Sequence, residues 1–109
     1  MPSNTINKKD VNPVKVLDGV YRKTLAYNDE AMLCFFMLEE GATIPLHHHD
    51  ATQIGYVIDG KIKFLMENKE FVAEAGDSYV FDSKERHGAE VLENTNVIEV
   101  FSPCREEYK

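Results

Sequence analysis

Three of the four histidines in this 109-residue chain stand side by side at positions 47 to 49. Residues two apart in an extended strand share a face, so His47 and His49 project together while His48 projects to the opposite, exposed side. Two imidazoles at this spacing form half of a metal site. Gln53 has the same parity, and a modest bend of the chain would bring its amide oxygen to the same point.

A fourth ligand has to come from a distant part of the chain. The remaining histidine, His87, follows the Gly76 turn and precedes Gly88 at the start of another predicted strand. If the strands close into a barrel, His87 can face the histidine pair across the interior. Adjacent histidines are also found in solvated loops, which is the competing interpretation. The sequence predicts a mononuclear metal site formed by His47, His49, Gln53 and His87.

Short β-rich segments separated by turn residues fill most of the chain. Their spacing is close to that of an all-β sandwich or barrel, and no stretch has a convincing helical period. Asp59-Gly60 predicts a two-residue hairpin, because both residues tolerate positive φ, and Asn68-Lys69 predicts the next one. The predicted strands are Val20–Ala26, Met32–Leu38, Ile54–Ile58, Ile62–Glu67, Phe71–Ala75, Ser78–Phe81 and Val97–Phe101.

The segment Met32–Leu38 is apolar on both of its faces. One face is predicted to line the interior and the other to meet a second sheet or another subunit, which favours a homodimer. We assign Cys34 to the core and leave Cys104 unassigned. Neither has a CxxC neighbour, so they do not form a zinc ribbon or a redox pair. Tyr56 and Phe64 are also predicted to pack in the core.

Length and composition indicate one compact domain with 43% hydrophobic residues. We assign residues 1–10 to a polar N-terminal arm and residues 11–109 to the domain. No signal-peptide core and no apolar run of membrane-spanning length is present, which favours a cytoplasmic location. Nineteen acidic and twelve basic residues give a net charge of -7 without a Lys/Arg block. This balance argues against nucleic acid and anionic membrane as partners and favours a small molecule.

The spacing around the histidines resembles that of the cupin family. The first cupin motif is Gly, five residues, His, one residue, His, three or four residues, an acid, six residues and Gly. Every interval is kept here, by Gly41, His47, His49, Gln53 and Gly60. The second motif is kept in part, by Gly76 and His87. Its usual Pro, Gly and Asn positions hold Asp82, Lys84 and Val91.

The resemblance implies a single-domain, all-β cupin barrel, which is a jelly-roll-like double-stranded β-helix, with one bound divalent transition metal. Gln53 stands where the family usually has an acid. The resulting neutral ligand set leaves the ion with its full charge and makes it a stronger Lewis acid. Ligands of these types suit zinc, nickel, manganese, iron or copper almost equally.

Glu99 is the only charged residue in an otherwise apolar predicted strand. One interpretation, which periodicity modestly favours, places Ile98 and Val100 inside and Glu99 in water. The other places Glu99 inside the barrel near the metal, where desolvation would raise its pKa and suit it to acid/base chemistry. In that arrangement Arg105, beyond the strand, could bind a substrate carboxylate at the pocket mouth.

The order acid, one residue, Phe, three residues, Arg is similar to that of the small cupins that help to open the ring of unsaturated uronates released from pectin and alginate. Its counterparts are Glu99, Phe101 and Arg105, with Glu in place of the usual Asp. The resemblance implies an enzyme in which the metal polarises a substrate oxygen, Glu99 moves a proton, and Phe101 and Arg105 bind the substrate. A dioxygenase with a redox-active metal and a ligand-binding module without turnover are the alternatives.

Overall fold

The computed structural model describes residues 4–109, which form ten β-strands and two single-turn 3-10 helices. The helices are Lys8–Asp10 and Glu106–Tyr108. No helix in this range is long and apolar enough to cross a bilayer. The strands are β1 (Val14–Leu17), β2 (Val20–Tyr27), β3 (Met32–Leu38), β4 (Thr43–His47), β5 (Thr52–Asp59), β6 (Lys61–Met66), β7 (Glu70–Glu74), β8 (Ser78–Phe81), β9 (His87–Val91) and β10 (Thr95–Ser102).

The strands form two antiparallel sheets, and the side chains between them make one core. The six-stranded sheet has the order β1-β2-β3-β10-β5-β8, and the four-stranded sheet has the order β4-β9-β6-β7. Inward-facing residues alternate with outward-facing ones along β5, β8 and β10. This arrangement confirms the all-β prediction. The largest fully buried side chains are Phe81, Phe101, Met32, Ile62, Val57, Val97 and Cys34.

All seven strands predicted with both ends are present, with ends displaced by at most two residues, and the further strand predicted to start at His87 is β9. The hairpin predicted at Asn68-Lys69 is also present, because β6 pairs with β7 there. The strands β1 and β4 were not predicted. Each is short, lies at an edge of its sheet and is mostly exposed, so neither has the apolar alternation that reveals a half-buried strand. The edge position also explains why β4 accommodates Pro45.

The hairpin predicted at Asp59-Gly60 is wrong, because β5 and β6 lie in different sheets. The chain reverses at Gly60, where φ is 95°, and crosses from one sheet to the other. The backbone N–H of Lys61 then donates to Thr95 Oγ1 at 2.9 Å. A Cβ on residue 60 would lie 2.3 Å from the backbone oxygen of Asn94. The residues at this turn predict a change of chain direction correctly. The strand that pairs with β5 is β10, which is distant in sequence, and not β6.

The inner face of β3 is buried, and the outer face is covered at its centre. Met32, Cys34, Phe36 and Leu38 are buried on its inner face, which confirms the core assignment of Cys34. On the outer face, the Lys8 ammonium lies 4.3 Å from the ring centroid of Phe35, which is 6% exposed. Lys8 therefore covers part of the outer face of β3. Residues 1–3 of the arm lie outside the described part of the chain.

The loop between β8 and β9 contains Lys84, the one non-glycine residue with positive φ in the described range. Its φ is 65°, a conformation that costs an L residue about 1–2 kcal/mol. Lys84 occupies the position at which the second cupin motif has glycine, so the backbone keeps the conformation without the usual residue. Its N–H donates to the backbone oxygen of His49 at 2.7 Å, which joins the two histidine-bearing segments.

The outer faces of the two sheets differ in character. Lys63 on the four-stranded sheet lies within 4.0 Å of carboxylates of both Glu70 and Glu90. The prediction that Tyr56 packs in the core is wrong, because Tyr56 is 49% exposed on the six-stranded sheet, whereas Phe64 is buried as predicted. We call the exposed apolar residues of that sheet the outer apolar face: Ile54, Tyr56, Ile58, Val80 and Val100.

Candidate metal centre

Three histidines converge at one end of the four-stranded sheet. His47 is the last residue of β4 and lies directly opposite His87, the first residue of β9. His87 thus approaches from the neighbouring strand of the same sheet, so the expectation that it faces the pair across the interior is wrong. His49 follows two residues after β4. One ring nitrogen from each histidine lies within 4.8 Å of the other two.

Each histidine uses Nδ1 in a hydrogen bond to a backbone carbonyl two residues away. A carbonyl can only accept, so each Nδ1 carries a proton, and Nε2 is the ring nitrogen left to bind a metal. This tautomer is the one that a metal bound through Nε2 requires. The carbonyl partners of His47, His49 and His87 are Pro45 at 3.0 Å, Ala51 at 2.8 Å and Glu85 at 2.9 Å.

Packing holds the His87 ring in place and keeps it neutral. The ring of fully buried Phe81 stacks on His87 with centroids 4.1 Å apart and planes 3° apart. Burial lowers the pKa of His87 to about 4 and lowers the pKa of His49 below its usual value. Both imidazoles are therefore uncharged near neutral pH and can act as ligands.

Gln53 extends from β5 on the opposite sheet towards the same point. Its Oε1 lies 3.0 Å from His49 Nε2 and 3.2 Å from His87 Nε2, while its Nε2 donates to Glu99 Oε2 at 2.6 Å. The amide oxygen therefore faces two nitrogen lone pairs, and a cation between them relieves this repulsion. The donor set fits a divalent metal held by three imidazoles and one amide oxygen. His48 is exposed and is not part of this cluster.

Glu99 lies inside the barrel and is 7% exposed. It shares the inner face of β10 with Val97 and Phe101, whereas Ile98 and Val100 point outward. The structure therefore agrees with the interpretation that places Glu99 inside the barrel, and the one that places it in water is wrong. β10 lies between β3 and β5, and its outward residues join the apolar surface of the sheet. Both faces of the strand are apolar for this reason, so periodicity alone could not orient Glu99.

Two buried donors hold the Glu99 carboxylate. Tyr79 Oη donates to Oε2 at 2.5 Å, and Gln53 Nε2 donates to the same oxygen. Burial raises the pKa of Glu99, and the two hydrogen bonds offset part of that rise. Tyr79 was missed by the sequence reasoning. The available signal was Gly55, a glycine within a strand and directly opposite Tyr79, because such a glycine often marks a close approach.

The amide at position 53 and the acid at position 99 are complementary. An acid at position 53, as in the usual cupin motif, would bring two carboxylates to 2.6 Å of each other. With Gln53, the ligand set is neutral, but the negative charge of Glu99 lies one hydrogen bond behind it. This charge would stabilise a cation bound there without occupying a coordination position.

Arg105 and Phe101 form part of the wall beside the cluster. The Arg105 guanidinium lies 4.1 Å from the centroid of Tyr108 and 5.3 Å from that of Phe101, and its Nε donates to Glu107 Oε1 at 2.8 Å. Its side chain is 15% exposed. Phe101 is 1% exposed and meets the edge of His49 with centroids 5.7 Å apart. The guanidinium of Arg105 thus packs against the rings of Tyr108 and Phe101.

A cavity of about 260 Å³ lies between the two sheets next to the histidines. It is smaller than the roughly 300 to 1,000 Å³ typical of sites for drug-sized ligands, so it suits a small molecule. Most of its wall is apolar, and the polar groups converge on one side. The residues of the wall that carry polar side-chain atoms are His47, Gln53, Tyr79, His87, Glu99, Arg105 and Tyr108.

Comparison with known proteins agrees with this geometry. Residues 34–102 match the family model described as Cupin domain. The chain is also similar to the pectin degradation protein KdgF of Dickeya dadantii (strain 3937), with 33% identity over 93 residues that cover 84% of each chain.

Two solved structures extend the likeness to nearly the whole chain. An RmlC-like cupin from Shewanella frigidimarina NCIMB 400 has a TM-score of 0.92 and 26% identity, over 98% of this chain and 96% of that one. KdgF from Halomonas sp. has a TM-score of 0.88 and 31% identity, over 98% of this chain and all (100%) of that one. The family model, the sequence relative and the two structures agree, and the chain belongs to the cupin family.

Proposed function

We propose that this protein is a metal-dependent enzyme that opens the ring of an unsaturated uronate, a small carboxylated sugar. The observation that carries the proposal is the position of Glu99, a buried carboxylate that lines the cavity and is hydrogen-bonded to the metal-ligand candidate Gln53. The relative with 33% identity is named a pectin degradation protein, and unsaturated uronates are released from pectin. This agreement supports the choice of substrate class.

Ring opening of such a sugar is an isomerisation. The bond between the anomeric carbon and the ring oxygen breaks, and one proton moves from the anomeric hydroxyl to a carbon of the double bond, with no other atom gained or lost. Glu99 is suited to carry this proton, because burial raises its pKa and its carboxylate lies at the cavity wall. When bound, a divalent metal supplies a Lewis acid that polarises a substrate oxygen.

Arg105 is the proposed binding group for the substrate carboxylate. It lines the cavity, and its guanidinium lies against the rings of Tyr108 and Phe101. A guanidinium can bind a carboxylate through two parallel hydrogen bonds, which orients as well as attracts it. The Phe101 ring packs against the Arg105 guanidinium and supplies apolar surface beside His49. The substrate is thereby held with its reacting end towards Glu99.

We expect the protein, loaded in turn with zinc, nickel, manganese, iron or copper, to convert an unsaturated uronate to its open-chain keto form. Loss of the ring double bond in the ultraviolet and proton NMR of the product measure this reaction. The methyl ester of the same sugar should have a kcat/KM lower by about 10- to 100-fold, because a hydrogen bond to a charged group contributes about 1.5–3 kcal/mol. In Arg105→Gln this preference should disappear.

The same assay distinguishes the alternatives. Consumption of dioxygen together with substrate would indicate a cupin dioxygenase instead. Tight binding of the uronate to the metal-loaded protein without conversion would indicate a ligand-binding module. An unchanged preference for the free acid in Arg105→Gln would contradict the role given to that residue.

We further propose that the outer apolar face joins two copies in a homodimer. Ile54 lies directly opposite both Val80 and Val100, so these side chains form a continuous apolar row across three strands. Large exposed apolar patches mark interaction surfaces, and the same patch on two copies makes a closed two-fold contact. The outer face of the four-stranded sheet carries Lys–Glu ion pairs instead.

Val80→Lys is expected to convert the dimer to a monomer, as measured by sedimentation equilibrium. Val72→Lys is the matched control, because Val72 is 50% exposed on the other sheet and Val80 is 55% exposed. The control should remain dimeric. A monomeric wild type, or equal dissociation of the two variants, would exclude this interface.

A further inference from the structure

We infer that Tyr79 is a positioning residue that holds the Glu99 carboxylate with one oxygen towards the substrate, and that Gly55 makes room for it. The inference rests on the proposed function, in which Glu99 moves a proton. The three residues lie in one row across neighbouring strands. Gly55 on β5 is directly opposite Tyr79 on β8 and directly opposite Glu99 on β10.

Tyr79 reaches Glu99 by passing over Gly55. The hydroxyl of Tyr79 lies 2.5 Å from Glu99 Oε2, although β5 separates the strands that carry the two residues. A Cβ on residue 55 would lie 2.1 Å from Tyr79 Cζ and 2.3 Å from its Oη. No side chain larger than hydrogen fits under the ring in this position, because real Cβ contacts are never so short. The absence of a side chain at Gly55 is therefore a condition of the Tyr79–Glu99 hydrogen bond.

The two donors on Glu99 bind the same oxygen and leave the other one free. Tyr79 Oη and Gln53 Nε2 both bond to Oε2, which has two lone pairs and is then fully used. In the described part of the chain, no buried side-chain nitrogen or oxygen lacks a hydrogen-bond partner. Oε1 makes no hydrogen bond within the protein in that range, so it reaches the cavity that Glu99 lines. The terminal torsion of a glutamate is otherwise soft, and the two donors restrict it.

The ring of Tyr79 is held independently of its hydroxyl. Its centroid lies 4.4 Å from that of Phe64 and 5.7 Å from that of Phe81. The residue is 7% exposed. Tyr79→Phe therefore removes the hydrogen bond and leaves the ring packed, so its effect reports on Glu99 rather than on the core.

We expect Tyr79→Phe to lower kcat on the uronate by about 10-fold or more, in keeping with the loss of a hydrogen bond to a charged group. KM and the affinity for divalent metal should stay within about 2-fold of wild type, because neither the carboxylate-binding group nor a metal ligand changes. Tyr21→Phe is the matched control, because Tyr21 is a half-buried residue of β2 outside both the cavity wall and the outer apolar face, and it should leave kcat unchanged. A wild-type kcat for Tyr79→Phe would overturn the inference.

A double-mutant comparison separates this inference from the proposed function. If Tyr79 acts only through Glu99, Tyr79→Phe should cause no further loss of kcat in a Glu99→Gln background. Independent, multiplicative losses would overturn the positioning role. Full turnover by Glu99→Gln would overturn the proposed function and this inference with it. Loss of turnover in Glu99→Gln with full turnover in Tyr79→Phe would overturn the inference alone.

Thermal melting of the metal-free protein tests the role of Gly55 without any activity measurement. Gly55→Ala should lower the melting midpoint of the wild type by about 5 °C or more, because the new methyl group overlaps the tyrosine ring. In a Tyr79→Ala background the overlap partner is gone, and Gly55→Ala should lower the midpoint by less than about half as much. Equal shifts in the two backgrounds would show that Gly55 does not serve Tyr79.

Discussion

His87→Ala is expected to weaken the binding of zinc or nickel by at least about 100-fold. His87 supplies one of three converging imidazoles, and its Nε2 lies 3.2 Å from Gln53 Oε1. Loss of a group that only orients a metal ligand already costs about 10- to 100-fold, so loss of a ligand should cost more. Isothermal titration calorimetry on the metal-free protein, with metal content measured after dialysis, provides the test.

His48→Ala is the matched control. His48 is the immediate neighbour of two ligand candidates, but it is exposed and outside the cluster. Its replacement should leave metal affinity within about 2-fold of wild type. Circular dichroism of metal-free His87→Ala should be recorded as well, because the substitution also removes the ring that stacks on Phe81. Equal losses in the two variants, or full affinity in folded His87→Ala, would contradict the assigned metal centre.

Glu99→Gln is expected to lower turnover of the uronate by about 10²- to 10⁴-fold, the usual contribution of general acid/base catalysis. The glutamine keeps an oxygen that can accept hydrogen bonds from Tyr79 and Gln53, so the local structure should be preserved. It cannot take up and release the proton. Metal affinity should fall by about 10- to 100-fold, because Glu99 is hydrogen-bonded to the ligand candidate Gln53 and its negative charge is lost, so turnover is compared at saturating metal. Steady-state kinetics of the metal-loaded variant gives the comparison.

Glu90→Gln serves as the control for loss of a carboxylate. Glu90 lies on the outer face of β9, where its side chain is 47% exposed and its carboxylate is 4.0 Å from the Lys63 ammonium. Such an exposed ion pair contributes little, so turnover and stability should be close to wild type. A Glu99→Gln variant with wild-type turnover would show that another group carries the proton.

The approach of the histidines to one another could be anticipated because most of the information is local. His47 and His49 are two residues apart and Gln53 follows four residues later, so the short sequence separation keeps them near one point, although β4 ends at His47 and Gln53 lies on β5 of the other sheet. The strand segments could be predicted for the same reason, since alternation and turn residues act over short distances. The partner strand of His87 could not be predicted, because β4 is a short, exposed edge strand with little apolar pattern.

By itself, the sequence determined the strand-rich class, most strand positions and the histidines that converge, because each depends on the chemistry of a few neighbouring residues. Only the tertiary structure shows that β5 and β6 enter different sheets at Gly60, that Glu99 faces inward, and that Tyr79 donates a hydrogen bond to it. These features depend on which distant strands pair, and β10 has neighbours on both sides. The Tyr79 hydroxyl can reach the Glu99 carboxylate only because β8, β5 and β10 lie side by side and Gly55 has no side chain between the two residues.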